Sequence, residues 1–201
     1  MKKINYRIMR KAMAGLLMLL TLSLNAQVKF MGIPVDGSKS KMINKLKQKG
    51  FDYDSDVDLF QGEFDGKEVM LKLETYKNTV YRVSVMFGSY FGTPLFVIQP
   101  RGFGKNTIKN MFNDLVYQFN NNDKYLFAGY IIGEPMDPRI DADEDIEYQM
   151  QHNNKTYRAS YRQLGDTHNN AVYFTIVELY GDYFIVLNYE NLDNRPDGSD
   201  Y

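Results

Sequence analysis

Helical periodicity followed by four runs of strand-like alternation occurs twice in this chain, in the same order, and that order constrains the fold more than any single motif. "SKSKMINKLKQKGF" (38–51) sets Met42, Ile43 and Leu46 on one helical face behind Ser38 as N-cap. Gly50 then offers a left-handed stop, with Phe51 placed to fold back on the last turn. "NTIKNMFNDLVYQFN" (106–120) carries the longer stripe: Ile108, Met111, Phe112, Leu115, Val116 and Phe119.

The segments 57–64, 67–76, 79–87 and 94–99 follow the first helix with strand character, and 146–152, 155–163, 171–180 and 183–190 follow the second. "DG" at 65–66 and "NN" at 153–154 suit two-residue hairpin turns. "FDGKEVMLKL" (64–73) aligns with "HNNKTYRASY" (152–161), and "TVYRVSVMF" with "AVYFTIVEL", after a longer loop. The expected fold is α+β: a tandem repeat of one helix plus four antiparallel strands over 27–100 and 101–190, with a polar tail at 191–201. Joined edge to edge, the units would make an eight-stranded antiparallel sheet with both helices on one face. Alternation turns Val69, Leu71, Leu73, Tyr81, Val83, Val85 and Phe87 toward the helices, and Lys72, Glu74, Arg82 and Ser84 away. In the second half Tyr157, Ala159 and Tyr161 oppose Arg158, Ser160 and Arg162.

Residues 1–26 read as a secretory signal peptide. A start rich in Lys and Arg precedes the apolar run "AMAGLLMLLTLSL" (12–24), too short to span a bilayer comfortably, and Ala26 precedes a plausible cut. A retained anchor is the competing reading. The expected location is the periplasm or the outside of the cell, with no membrane span in the mature chain. There is no cysteine, so neither a disulfide nor a lipidated cysteine is available. The leader holds five of the 24 basic residues and none of the 25 acidic ones, which leaves the remainder acidic and poorly suited to nucleic acid.

"KFMGIPVDGSKSKMINKLKQKGF" after a signal peptide, followed by "GKEVMLKLETYKNTVYRVSVMF", resembles a group of short secreted bacterial proteins of unassigned function. The resemblance covers most of the chain beyond the leader and implies neither an activity nor a site. In architecture alone, the repeated plan is similar to the tandem-repeat beta-lactamase inhibitor proteins and related periplasmic modules. Their cysteine bridges are missing here, and no site residue carries over.

"DYDSDVD" spaces Asp52, Asp54, Asp56 and Asp58 like calcium ligands, with Glu63 at the distal position. Val57 stands where an EF-hand loop needs glycine, and strand character follows where a helix should. "DADEDIE" (141–147) lies in the matching place of the second half without the distal glutamate. Both runs are expected to be solvated strand entries, and no metal or other cofactor is expected. His152 and His168 lack zinc-ligand spacing. "GSY" (88–90) is not a nucleophile elbow, and "RGFGKNT" (101–107) lacks phosphate-loop spacing, reading instead as the link between halves.

The halves differ most between helix and first strand: residues 51–56 in one, 121–145 in the other. The longer passage holds the apolar "YLFAGYIIGEPMDP" (125–138), either a functional loop or an extra strand covering the sheet. The preferred expectation is an exported, non-enzymatic module that binds a protein or peptide through Tyr125, Phe127, Tyr130, Ile131, Ile132, Arg158 and Arg162. The alternatives are a hydrolase of envelope polymers using Asp141, Asp143 and Glu144, or a glycan-binding module. No catalytic residue is assigned.

Overall fold

The computed structural model describes residues 27–91, 99–129, 139–164, 170–179 and 181–196. The expected signal peptide (residues 1–26), residues 94–98 of an expected strand, Tyr130, Ile131, Ile132, His168 and residues 197–201 of the expected tail lie outside them.

The chain forms a mixed α+β fold around an eight-stranded antiparallel sheet. A short hairpin, β1 (Lys29–Phe30) and β2 (Ile33–Pro34), comes first. It turns through Met31 and Gly32, both at positive φ. Sequence patterning did not single it out, yet Val28, Phe30, Ile33 and Val35 are buried. Phe30 meets the rings of Phe51, Phe64 and Tyr189, at 5.4 and 5.3 Å for the last two.

Helix α1 (Lys39–Gln48) buries Met42 and Leu46. Ser38 stands at its N-cap, although its side chain caps no backbone amide. The C-terminal stop is a full Schellman motif: Phe51 N–H donates to Leu46 O (3.2 Å) and Gly50 N–H to Lys47 O (3.0 Å), with Gly50 at φ +94°. Phe51 is thereby swung into the core.

Four strands follow: β3 (Asp52–Asp54), β4 (Leu59–Phe64), β5 (Lys67–Tyr76) and β6 (Thr79–Phe87). The β4–β5 turn places Asp65 and Gly66 at positive φ, as a tight hairpin needs. A separate ribbon, β7 (Ser89–Phe91) with β8 (Gln99–Arg101), leads to helix α2 (Lys105–Asn120). Then come β9 (Tyr125–Gly129), helix α3 (Ile146–His152), β10 (Arg158–Gln163), β11 (Ala171–Leu179) and β12 (Asp182–Glu190). The strand order is β3-β4-β5-β6-β12-β11-β10-β9, every neighbour antiparallel.

The stripe on α2 packs as its spacing predicts: Ile108, Phe112, Leu115, Val116 and Phe119 are buried, and Met111 is half-buried. Phe112 stands edge-on to Phe174 at 5.1 Å, and Phe119 meets Tyr161 at 5.0 Å. Val69, Leu71, Leu73, Val83, Val85 and Phe87 share this core with Ile185, Leu187 and Tyr189.

Several expectations are corrected. Residues 146–152 form helix α3, not a strand. The spacing of Ile146 and Met150 fits both periods in so short a run, and the Asp145 carboxylate decides it by accepting from Tyr148 N–H at 3.2 Å. "NN" is accordingly the C-terminal end of α3, with Asn153 as C-cap and Asn154 at positive φ, and not a hairpin turn. The strand next to β10 is instead β9, from the long passage after α2. In the first half the aspartate run supplies edge strand β3, while Gln99, the described end of the expected strand 94–99, pairs within the β7–β8 ribbon. Tyr81 does not share the helix-facing row. Glu74 opposes Arg82 and Thr75 opposes Val80, so Tyr81 is the extra residue of a bulge, and Val80 takes the buried place.

Candidate functional site

The helices and the N-terminal hairpin occupy one face of the sheet, and the site is sought on the other face and at the β9 end. Period-two alternation brings Lys72, Ser84, Asn188, Tyr173 and Ser160 into one row across five strands. Glu74, Arg82 and Glu190 form the adjacent row.

That second row is a charge network across the β6–β12 seam. Arg82 Nη1 donates to Glu74 at 3.0 Å, and its Nη2 donates to Glu190 Oε1 at 2.8 Å. Arg195 approaches the same oxygen at 3.5 Å. Tyr81 Oη donates to Glu74 at 2.6 Å. Burial and this hydrogen bond push the Tyr81 phenol up to about 12. Burial disfavours the Arg82 cation, but the Glu190 hydrogen bond and the charges around it outweigh that and hold its pKa above the ordinary value. Ser84 Oγ donates to Asn188 Oδ1 at 2.7 Å across the same seam.

Toward the β9 end the face changes character. Arg158, Ser160 and Arg162 alternate along β10 and share the open side. The Arg158 guanidinium lies 3.7 Å over the Tyr173 ring. Arg158 Nε and Ser160 Oγ are shielded from solvent and hydrogen-bond to nothing, and so is Arg82 Nε. Burial, and then the Glu190 charge, raise the Tyr173 phenol.

The expected partner-binding residues separate. Tyr125 belongs to the core margin: its ring meets Phe119 at 4.6 Å and its hydroxyl lies 3.3 Å from that of Tyr189. Phe127 is 39% exposed and stands edge-on to Tyr161 at 5.5 Å. Arg158 is half-buried and Arg162 exposed, on the opposite face from Phe127. Leu126, opposite Arg162, and Leu164 are exposed apolar residues that sequence reading did not single out. The alternation of Leu126 with Tyr125 and Phe127 was the available signal.

The acidic runs are engaged locally. Asp58 accepts from Lys39 Nζ at 2.5 Å and Tyr53 Oη at 2.8 Å, and Asp54 accepts from Asp56 N–H. Asp52 and Asp56 are exposed, and Glu63 stands across from Glu68 in the β4–β5 ladder. Among the described residues no three acidic, histidine or cysteine side chains converge on a metal-sized site. Residues 140–147 are tied to α2 by reciprocal bonds between Asn113 and the Ile140 backbone (2.9 and 2.8 Å) and by Lys105 to Glu147. Glu144 pairs with Lys155, while Asp141 and Asp143 are exposed. His152 ends α3 and stacks on Tyr148 at 4.5 Å.

A hollow of about 350 Å³ between the β5–β6 end, Gly102–Phe103 and Met111 is mostly apolar. Another of about 370 Å³ lies at the β3–β4 edge around Asp54, Val57 and Gln61. Among the described residues no helix is long and apolar enough to cross a membrane. The chain matches no protein-family model, no curated protein and no solved structure.

Proposed function

We propose that this chain is an exported, non-enzymatic interaction module that takes a protein or peptide partner along the β9 edge of its sheet. One observation carries the reading. Among the described residues β9 is an end strand, and Leu126, Phe127 and Leu164 expose apolar surface on and beside it. An end strand offers backbone donors and acceptors to an extended segment, and the apolar side chains flanking it supply contact area. The basic start and short apolar run of residues 1–26 support export to the periplasm or beyond.

The architecture behind this surface reads as two helix-plus-four-strand units meeting at the β6–β12 seam. The sheet order supports it: β3 to β6 run inward from one edge, and β9 to β12 from the other. α3 is then an insertion between the first and second strands of the second unit. This reading pairs Val69, Leu71 and Leu73 with Val172, Phe174 and Ile176, all buried, and Val83, Val85 and Phe87 with Ile185, Leu187 and Tyr189. The match visible in sequence, β5 with β10 and β6 with β11, is one strand out of step with it.

The test is site-specific photo-crosslinking in the native cells. A photoreactive residue at Leu126 or Phe127 should give one discrete adduct, while the same residue at Tyr117, exposed on α2, should not. No adduct at either position, or equal labelling from Tyr117, refutes the β9 reading.

A further inference from the structure

We propose that Arg158 and Ser160, on the open face of β10, form a carboxylate-binding subsite for an acidic side chain of the peptide partner. The inference rests on the peptide-binding reading and specifies the chemistry of the partner.

Arg158 is the carrying residue. Its guanidinium is stacked on Tyr173 at 3.7 Å, which holds the planar group in one orientation. Among the described residues no carboxylate pairs with it. Its Nε is shielded from water without an acceptor, and so is Ser160 Oγ, one alternation further along the same strand face. Shielded donors are nearly always satisfied in folded proteins, so two on neighbouring same-face residues call for an acceptor. The contrast with the seam is informative: Arg82, three strands away, shares the unpartnered Nε but already holds Glu74 and Glu190 through its Nη groups. The Arg158 Nη groups are neither shielded nor hydrogen-bonded among the described residues and give a carboxylate its first contacts, while Nε and Ser160 Oγ join once a side-chain shift uncovers them.

Two further features support the reading. Arg162 continues the stripe toward the edge and is exposed, so the β10 face is cationic on a chain that is otherwise acidic beyond its leader. Ser160 and Arg162 also lie one strand in, across from Gly129 and Leu126 of β9, where side chains of a segment docked at the edge can reach them.

The test uses full-length protein labelled with nitrogen-15, observing arginine Nε–Hε resonances at low ionic strength. The probes are an acetylated, amidated tetraglutamate peptide, its tetraglutamine counterpart and inorganic phosphate. Tetraglutamate should shift the Arg158 resonance saturably and bind at least about tenfold more tightly than tetraglutamine. Arg158→Gln should lower its affinity about tenfold, and Ser160→Ala several-fold, with Arg162→Gln acting mainly through the salt dependence. If Arg158→Gln disturbs folding, the parent resonance and the smaller Ser160→Ala change decide. Equal shifts from tetraglutamine, tighter binding of phosphate, or unchanged affinity in Ser160→Ala overturns the proposal. Crosslinking at Leu126 separates the two readings: an adduct without tetraglutamate binding sinks the subsite alone, and tetraglutamate binding without an adduct sinks the β9 edge alone.

Discussion

Removing the cation at the seam should cost more stability than its position on the non-helical face suggests. Glu190 is only 3% exposed, and Arg82 supplies its closest ion-pair contact, at 2.8 Å. Arg82→Met keeps the aliphatic stem and deletes the charge. Breaking a buried pair from one side typically costs about 3–5 kcal/mol, because the remaining charge stays desolvated. Here Arg195 stays 3.5 Å from Glu190 and Arg82 itself is 21% exposed. Both soften the loss, so the lower end, about 3 kcal/mol, is expected. Glu74, at 29% exposure, keeps the Tyr81 hydroxyl and adds little. The paired variant Arg82→Met with Glu190→Met removes both charges and should recover most of the loss, since a hydrophobic replacement of a buried pair is often neutral. Urea unfolding of the four proteins gives the coupling energy directly, provided the m-value is constant. A single variant within about 0.5 kcal/mol of the parent, or a double variant no better than the worse single, would refute the assignment of the seam to this network.

Further outcomes are expected. Phe112→Ala, at a fully buried ring against Phe174, should lose about 3–5 kcal/mol, and exposed Arg162→Ala should stay within about 0.5, both read by urea unfolding. Gly102→Ala should cost about 1–3 kcal/mol and lower Tm, because its Cβ would sit 2.5 Å from Tyr183 O, an oxygen held by Phe103 N–H at 2.8 Å. Burial opposes ionisation of Asp58, but hydrogen bonds from Lys39 and Tyr53 outweigh it and hold its pKa below the ordinary 3.8. Its contribution is therefore present above the unfolded pKa and disappears as pH falls through the folded one. Asp58→Asn should flatten that acid limb of a stability-versus-pH curve, and an unchanged limb counts against the pairing. Calorimetry should show no saturable calcium binding, and N-terminal sequencing of the released protein should begin near Gln27.

Legibility in the sequence followed the strength of periodicity. The stripe on α2 repeats over three turns and admits one reading, and the Gly50–Phe51 stop has a single geometry that satisfies it. The central strands β5, β6 and β11 are long enough for alternation to be decisive, and β12 is legible as an apolar run, Tyr183 to Leu187. Failure came where runs are short. "IEYQMQH" fits both periods, and only the Asp145 cap separates them. β3 is three polar residues whose place is set by pairing with β4, a non-local contact that composition does not report. The N-terminal hairpin carries too few residues for any period, yet Phe30 is fully buried. Tyr81 was misplaced because a bulge breaks the period-two rule at one residue, and the extra residue leaves no mark in the sequence. Of the candidate site, Phe127, Arg158 and Arg162 were legible as residues, but the Tyr173 platform beneath Arg158 depends on strand register and was not.

The polarity of the non-helical face then has two different physical origins on one surface. At the seam, charges answer each other: Arg82 is bracketed by Glu74 and Glu190, and Ser84 by Asn188. The β6–β12 ladder gains cross-strand side-chain contacts from this arrangement, and a partner would gain little by competing for Arg82 Nη groups that already hold carboxylates. Two strands further out, on β10, the donors are oriented but unanswered. Leaving such groups unmade costs the folded chain stability that it could recover by substitution with apolar residues. A ligand that reached these donors would recover that cost, so on the carboxylate-subsite proposal the pair that weakens the isolated fold would strengthen the complex. On that proposal the unanswered donors, and not surface charge alone, set Arg158 and Ser160 above the better-paired Arg82 as the place for a partner's carboxylate.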